Sequence, residues 1–363
     1  MRITARFRWL ILIEKILAEE SVWEKLRRSE KPVVLYGMGN GADLILDEFA
    51  TLGIKCSGVF ASDGFVRGQS FREFRVEKLS DIEARLCDFT VAVGFATALD
   101  SVIENIINIS KKHRLVVPCV PVCGKEIINR DFLLKYSEKI EAAFNLLYDE
   151  ESLRIYEQSV RFMFGGELDV LLDTITEKST VFNGFFKLDA DEDYLDLGAY
   201  RGDTIAEFLR FSGGSYSSIT AVEPDIKTFR KLDDFCKKTD RCACINACVS
   251  DSDGSVIFNN SAGRQSSISA NGKEIKSLTV DTICEGRGIT YLKADIEGAE
   301  KQMLSGAAVT LKNLKPKLNI AAYHRSEDFF EIPLMVNRLN SSYRIFLRRH
   351  KYIPCWDLNY YCV

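Results

Sequence analysis

Apolar residues along the chain follow two patterns. Short unbroken runs occupy 33–36, 55–60, 89–93 and 115–120, and again 194–197, 219–222, 243–249, 291–294 and 318–323. Runs of this length without polar alternation, bounded by glycine, proline or acidic residues, predict strands buried on both faces, as in parallel sheets. Between them, apolar residues spaced three and four apart predict helices at 43–52, 99–110 and 327–339. Strand and helix alternate in two separate stretches, so the chain reads as α/β with two mostly parallel sheets. Residues 1–30 predict a leading helix with Leu10, Ile13 and Leu17 on one face. Residues 31–124 form a smaller α/β domain, 125–180 a helical connector that packs between the domains and closes over the second site, and 181–363 a larger α/β domain. A strand is expected over 277–283, and the runs 343–347 and 358–362 predict a closing antiparallel pair.

The larger domain carries most of the candidate chemistry. Its first run, within YLDLGAYRGDT at 194–204, is closed by Gly198 and followed by a helix whose apolar face is Ile205, Phe208 and Leu209. Gly198 and Gly202 let the backbone approach a ligand closely, and Asp203 and Thr204 stand where a helix cap is expected. Asp196, inside the apolar run, needs a polar partner if buried. The second run ends in Glu223, about 20 residues after the glycine turn, where an acidic residue accepts both hydroxyls of a ribose. The third ends in Ser250 and Asp251, placed to contact an adenine. The fourth enters Asp295, Glu297 and Glu300, and the fifth ends at His324. Ligands of open α/β sheets bind at these carboxyl ends. The small polar stretch 261–269, with Arg264, Gln265, Ser266 and Ser267, reads as a loop near the site.

The segments DLGAYRGDT, AVEPD, LKADIEGAE and AAYHRSEDFFEIP resemble those of the FkbM-type methyltransferases, and KADIEGAE is the most specific of them. The resemblance covers roughly residue 182 to the C-terminus. It implies a Rossmann-like class I methyltransferase fold with S-adenosylmethionine as cofactor. The cofactor would be held by Asp196, Gly198, Ala199, Tyr200, Gly202, Thr204, Glu223, Ser250 and Asp251. It further implies O-methylation of a sugar or other small hydroxylated metabolite. Tyr200 departs from the family pattern, where glycine or asparagine is common. In-line methyl transfer needs alignment and benefits from a base. His324 titrates near neutrality and is the candidate base, with Asp295 to orient it or bind substrate. Glu297 and Glu300 suit the first turn of a helix; together with Asp295 they resemble a carboxylate set for a hard cation, but no metal is expected. The rival readings are a nicotinamide-dependent oxidoreductase and a non-catalytic nucleotide-binding protein.

The smaller domain has its own glycine turn, GMGNGA at 37–42, and reads as Rossmann-like. Ala42 replaces the third glycine of the dinucleotide fingerprint, and Asn40 and Asp63 are the residues to test for a nucleotide or nucleotide-sugar site. Composition then narrows the partners. With 48 basic and 52 acidic residues and a net charge of −4, broad capture of nucleic acid is not expected. The 11 cysteines are scattered through apolar runs, which suits a reduced, cytoplasmic protein rather than a disulfide scaffold. Cys242, Cys244 and Cys248 fall within one predicted strand and read as packing residues rather than zinc ligands. The N-terminal apolar run is too short to span a membrane. Arg348 and Arg349 either meet an anionic substrate group or form a solvated edge. Homo-oligomerisation stays open.

Overall fold

The structure, a computed structural model, describes residues 5–259, 267–268 and 273–363. The stretch 261–266, with Arg264, Gln265 and Ser266, therefore lies outside the described residues. In the first sheet, β1 (Val33–Tyr36), β2 (Cys56–Phe60), β3 (Ser70–Phe71), β4 (Phe74–Glu77), β5 (Thr90–Val93) and β6 (Arg114–Val116) take the order β3-β4-β2-β1-β5-β6. All neighbours are parallel except β3 and β4. β1 and β5 are buried at every position, which is why they show no polar alternation.

The second half contains β7 (Asp193–Leu197), β8 (Ser218–Val222), β9 (Cys242–Ile245), β10 (Cys248–Val249), β11 (Gly254–Asn259), β12 (Ser267–Ile268), β13 (Lys273–Leu278), β14 (Tyr291–Ala294), β15 (Lys317–Ala321), β16 (Ile345–Arg349) and β17 (Leu358–Cys362). Seven of them form one sheet in the order β16-β17-β15-β14-β7-β8-β9. It is parallel except that β17 runs against both neighbours. This is the closing antiparallel element expected from the sequence. A small sheet, β10-β13-β11-β12, completes the described strands.

Two sequence expectations need correction here. The run 243–249 is not one strand. β9 stops at Ile245, and the Asn246 amide donates to the carbonyls of Glu223 and Pro224 at 2.8 and 3.0 Å. That side-chain bond replaces ladder bonds and turns the chain, so Cys248 joins a different sheet from Cys242 and Cys244. Likewise 277–283 ends β13 and then forms the helix Val280–Ile283, capped by the Thr279 side chain.

The leading helix, Ala5–Ala18, buries Trp9, Ile13 and Ile16, and Leu17 packs half-buried against the same cluster. Trp9 packs on Phe144 and Tyr156 at 5.4 and 5.9 Å, and Tyr156 stacks on Phe329 at 4.1 Å. Through these rings one apolar cluster runs from Val34 and Val91 in the first sheet to Leu195 and Leu292 in the second. Among the described residues no helix is long and apolar enough to cross a membrane.

Arg348 and Arg349 lie on an edge strand but do not form a solvated edge. Their exposures are 5% and 0%, and neither reaches a cavity. Arg348 pairs with Asp149 at 2.6 Å and donates to the Ser152 hydroxyl at 2.7 Å, tying β16 to helix Glu150–Gly165. Arg349 donates to the carbonyls of Leu171 and Tyr352, both at 2.7 Å. Arg348 is buried while its partner Asp149 keeps 32% side-chain exposure, so the loss is chiefly that of charge-assisted hydrogen bonds and of the Ser152 contact. Arg348→Ala should therefore lower unfolding free energy by roughly 1.5–3 kcal/mol in a denaturant titration.

Candidate active site

The carboxyl ends of β7, β8, β14 and β15 surround a cavity of about 790 Å³, within the size range of small-molecule sites. Gly198, Tyr200, Thr204, Glu223, Asp295 and His324 all line it. Asp196, Ala199 and Gly202 lie just beneath and shape the turn. Ser250 and Asp251 are not in the lining. Because the chain turns at Asn246, Ala247, Cys248 and Val249 take the place expected of them. Of the connector 125–180, Lys178 lines the cavity, whereas the helices between Arg130 and Leu172 do not. Val122, Cys123 and Gly124 also line it, with Tyr352 and Trp356 from the β16–β17 loop. The Cys123 amide donates to the His324 carbonyl at 2.8 Å, and Thr97 and Ile353 exchange backbone bonds at 2.7 and 2.8 Å. Segments following the first sheet thus wall one side of a site built on the second.

The glycine turn is locked from below. Gly198 has φ of +80°, and a Cβ there would stand 2.0 Å from the Asp295 carbonyl oxygen, so only glycine allows the β7 and β14 ends to meet. Gly202, with φ of +92°, caps helix Asp203–Phe211 without a side-chain bond. The cap expected from Asp203 and Thr204 is absent. Thr204 instead donates its hydroxyl to buried Asp196, supplying the partner that Asp196 needed. Gly198→Ala combines a forbidden contact with backbone strain of about 1–3 kcal/mol. It should lower the melting temperature and remove detectable nucleotide binding in calorimetry.

Glu223 closes β8 with both oxygens engaged. Oε2 accepts from the Tyr200 amide at 3.1 Å and Oε1 from the Asp225 amide at 2.9 Å. Burial pushes its carboxyl up to about 7, with the two amide bonds opposing. Tyr200 itself is left-handed, with φ of +49°, so the non-glycine residue is accommodated in the turn by local strain.

At the other end, His324 is 1% exposed and faces carboxylates on both sides. Nδ1 lies 2.9 Å from Glu300 Oε1, and Nε2 lies 3.3 Å from Asp295 Oδ1 and 3.7 Å from Glu297 Oε2. Burial opposes charging the ring, but Glu300 and Asp295 prevail and raise its pKa well above the ordinary value. A neutral ring donating from Nδ1 would turn its Nε2 lone pair toward Asp295. The cation instead donates from both nitrogens and has no lone pair with which to take a proton. On this charge state Asp295, rather than His324, is the side chain of the pair able to take a proton. Asp295 is also held by the Tyr323 hydroxyl at 3.0 Å. Despite burial, Lys293 and His324 keep its carboxyl well below the usual range.

Lys293 was missed in the sequence, where it looked like one more residue of a strand motif. It stands in register with Asp196 on β7 and Asn319 on β15, a polar row across three central strands. Lys293 Nζ, Asp196 Oδ1 and Asn319 Oδ1 are buried without a hydrogen-bond partner among the described residues. The ammonium lies 3.8 Å from Asp196 and 3.9 Å from Asp295. Buried polar atoms without partners mark places where a ligand or water completes the bonding. A polar residue inside an otherwise apolar strand was the available signal.

Asp295, Glu300 and His324 each offer a donor atom within 4.8 Å of the others. Direct His324–Glu300 pairing and the nearby Lys293 charge already balance this set, so a cation would have to displace those contacts. At the other glycine turn, Phe95 lies against Gly37, where a Cβ would stand 2.4 Å from the ring. Asn40 and Asp63 are both exposed there.

Residues 196–354 match the methyltransferase FkbM domain model. A crystal structure of methyltransferase FkbM from Methylobacillus flagellatus KT is similar over 97% of this chain and 93% of its own, at 16% identity and a TM-score of 0.69. At that identity the likeness is one of fold, and it includes both large sheets. Fibrillarin from Aeropyrum pernix, solved with natively bound S-adenosyl-L-methionine, aligns with 51% of this chain and 73% of its own, at 12% identity and a TM-score of 0.34. No curated protein sequence matches the chain. The matched segment begins at Asp196 and contains the glycine turn, Glu223, Lys293, Asp295 and His324; this part of the chain is a methyltransferase domain of the FkbM family.

Proposed function

We propose that the protein is an S-adenosylmethionine-dependent O-methyltransferase acting on a small hydroxylated acceptor, such as a sugar or related metabolite. The observation that carries this reading is the convergence, in one cavity, of a ribose-type carboxylate at Glu223 and an acid–cation cluster around Asp295. The cavity fits the cofactor. Gly198 leaves its backbone bare, Glu223 has the lone pairs to accept two vicinal hydroxyls, and Asp196, Lys293 and Asn319 keep polar atoms unsatisfied. Ala247, Cys248 and Val249 offer the apolar wall an adenine ring needs.

When bound, the cofactor supplies a methyl group on a positively charged sulfur, already activated toward attack. What remains for the protein is to align the acceptor oxygen and receive its proton. Asp295 lines the cavity, and Lys293 and His324 favour its ionised form. Tyr323 and the His324 cation hold it in place, and Glu300 holds His324 in turn. A carboxylate of low basicity suffices, because the hydroxyl becomes strongly acidic as its oxygen–carbon bond forms. Lys293 can donate to the same oxygen and limit its negative charge.

Calorimetric titration of the full chain with S-adenosylmethionine and with NAD tests the reading. Saturable binding of the former alone supports it; binding of NAD alone would replace it with the oxidoreductase.

A further inference from the structure

At the free edge of the seven-stranded sheet, away from the cavity, three cysteines converge. Helix Ile226–Cys236 ends in Cys236, the chain turns through 237–241, and β9 opens with Cys242. Cys242 and Cys244, two residues apart on the strand, share one face and pack with buried Cys236 in a single apolar cluster. Cys236 is buried, whereas Cys242 and Cys244 are half-buried. The Cys236 and Cys242 sulfurs lie 2.9 Å apart. Two thiolates on one zinc ion would stand roughly 3.8 Å apart, the edge of a tetrahedron with 2.3 Å bonds, so the contact is too close for metal ligation. It lies within easy reach of the ~2.05 Å of a disulfide. Cys244 Sγ lies 3.6 Å from Asp233 Oδ1 and also interacts with Cys236, but Cys242 is the sulfur in closest contact with Cys236.

We propose that Cys236 and Cys242 are a covalent-modification site, a dithiol that a hydroperoxide converts to an intramolecular disulfide. Cys242, the more accessible, attacks the peroxide: a sulfur–oxygen bond forms, the oxygen–oxygen bond breaks, and water leaves with a sulfenic acid remaining. Cys236 sulfur then attacks that sulfur, the sulfur–oxygen bond breaks, and a second water leaves. Two thiols and one hydrogen peroxide become one disulfide and two waters. The cross-link sits beside Phe235, whose ring packs on the cofactor turn, 2.7 Å from where a Gly202 Cβ would be.

The test uses the full-length protein and hydrogen peroxide, followed by alkylation, digestion and mass spectrometry. The expected result is a loss of two of the 11 thiols, with a Cys236–Cys242 linked peptide that dithiothreitol reverses. Cys242→Ser should abolish the linkage and Cys244→Ser should retain it; circular dichroism checks that each variant folds. Alkylation of both Cys236 and Cys242 after peroxide treatment, or a Cys236–Cys244 linkage in the unmodified sequence, overturns the proposal. No cofactor or acceptor is needed, so the outcome is independent of the methyltransferase reading.

Discussion

Asp295→Asn should slow methyl transfer by about 10²–10⁴-fold, the usual contribution of a positioned proton acceptor, while leaving cofactor affinity nearly unchanged. Asparagine keeps the size and can still accept from Tyr323, so the loss isolates charge and basicity. The assay is transfer of labelled methyl to an acceptor found by screening glycosides and sugar nucleotides. The pH profile carries separate information. Asp295 is held well below the ordinary carboxylate range and His324 well above its own. Both shifts carry the titrations of this pair away from neutrality, so turnover at saturating cofactor should depend on pH less steeply there than with a free imidazole as base. A rate that rises through a midpoint near neutrality, lost in His324→Gln, would return the base role to His324. Near-normal turnover of Asp295→Asn would remove Asp295 from the chemistry.

Glu223→Ala should weaken S-adenosylmethionine binding by about 1.5–3 kcal/mol, the worth of hydrogen bonds to a charged group, or roughly 10- to 150-fold in calorimetry. The same carboxylate holds the Tyr200 and Asp225 amides, so the loss combines ribose contact with a loosened turn. The pH dependence separates the two. The folded carboxyl titrates at about 7, and hydroxyl donors favour its ionised form. Affinity should therefore be full above pH 8 and fall about tenfold by pH 6, with proton release on binding near neutrality. Glu223→Ala should abolish that pH dependence. Gly39→Val, in the first sheet's turn, strains its backbone without touching a neighbour within 4 Å and should leave the affinity nearly unaltered. An unchanged affinity in folded Glu223→Ala would refute the ribose assignment.

Much of this arrangement was legible in the chain. The runs ending in Gly198, Glu223, Asp295 and His324 mark strand ends because strands buried on both faces exclude polar residues until they reach a turn. That logic placed six of the named residues in one cavity, Gly198, Tyr200, Thr204, Glu223, Asp295 and His324. It failed at 243–249, where Asn246 bends the chain through bonds to carbonyls more than 20 residues away. An apolar run cannot announce such a break, and so the residues that line the cavity from this segment are Ala247, Cys248 and Val249 rather than Ser250 and Asp251. Arg348 and Arg349 misled for the same reason: their partners, at Asp149, Leu171 and Tyr352, come from other elements.

The local pattern alone determined the order of strands and helices, the two glycine turns and the acidic residues that close the strands, because periodicity, turn chemistry and β-branched content act over a few neighbouring residues. Charge state, by contrast, was decided only by the tertiary structure. A histidine in isolation titrates near neutrality, but between Asp295 and Glu300 the His324 pKa is raised well above its ordinary value, since the attraction of carboxylates from another segment outweighs desolvation. The register of β7, β14 and β15 likewise gathered Asp196, Lys293 and Asn319 into one row. Each is a single polar residue in its own strand; their meaning arises from parallel pairing across about 120 residues of chain, a distance over which no local preference acts.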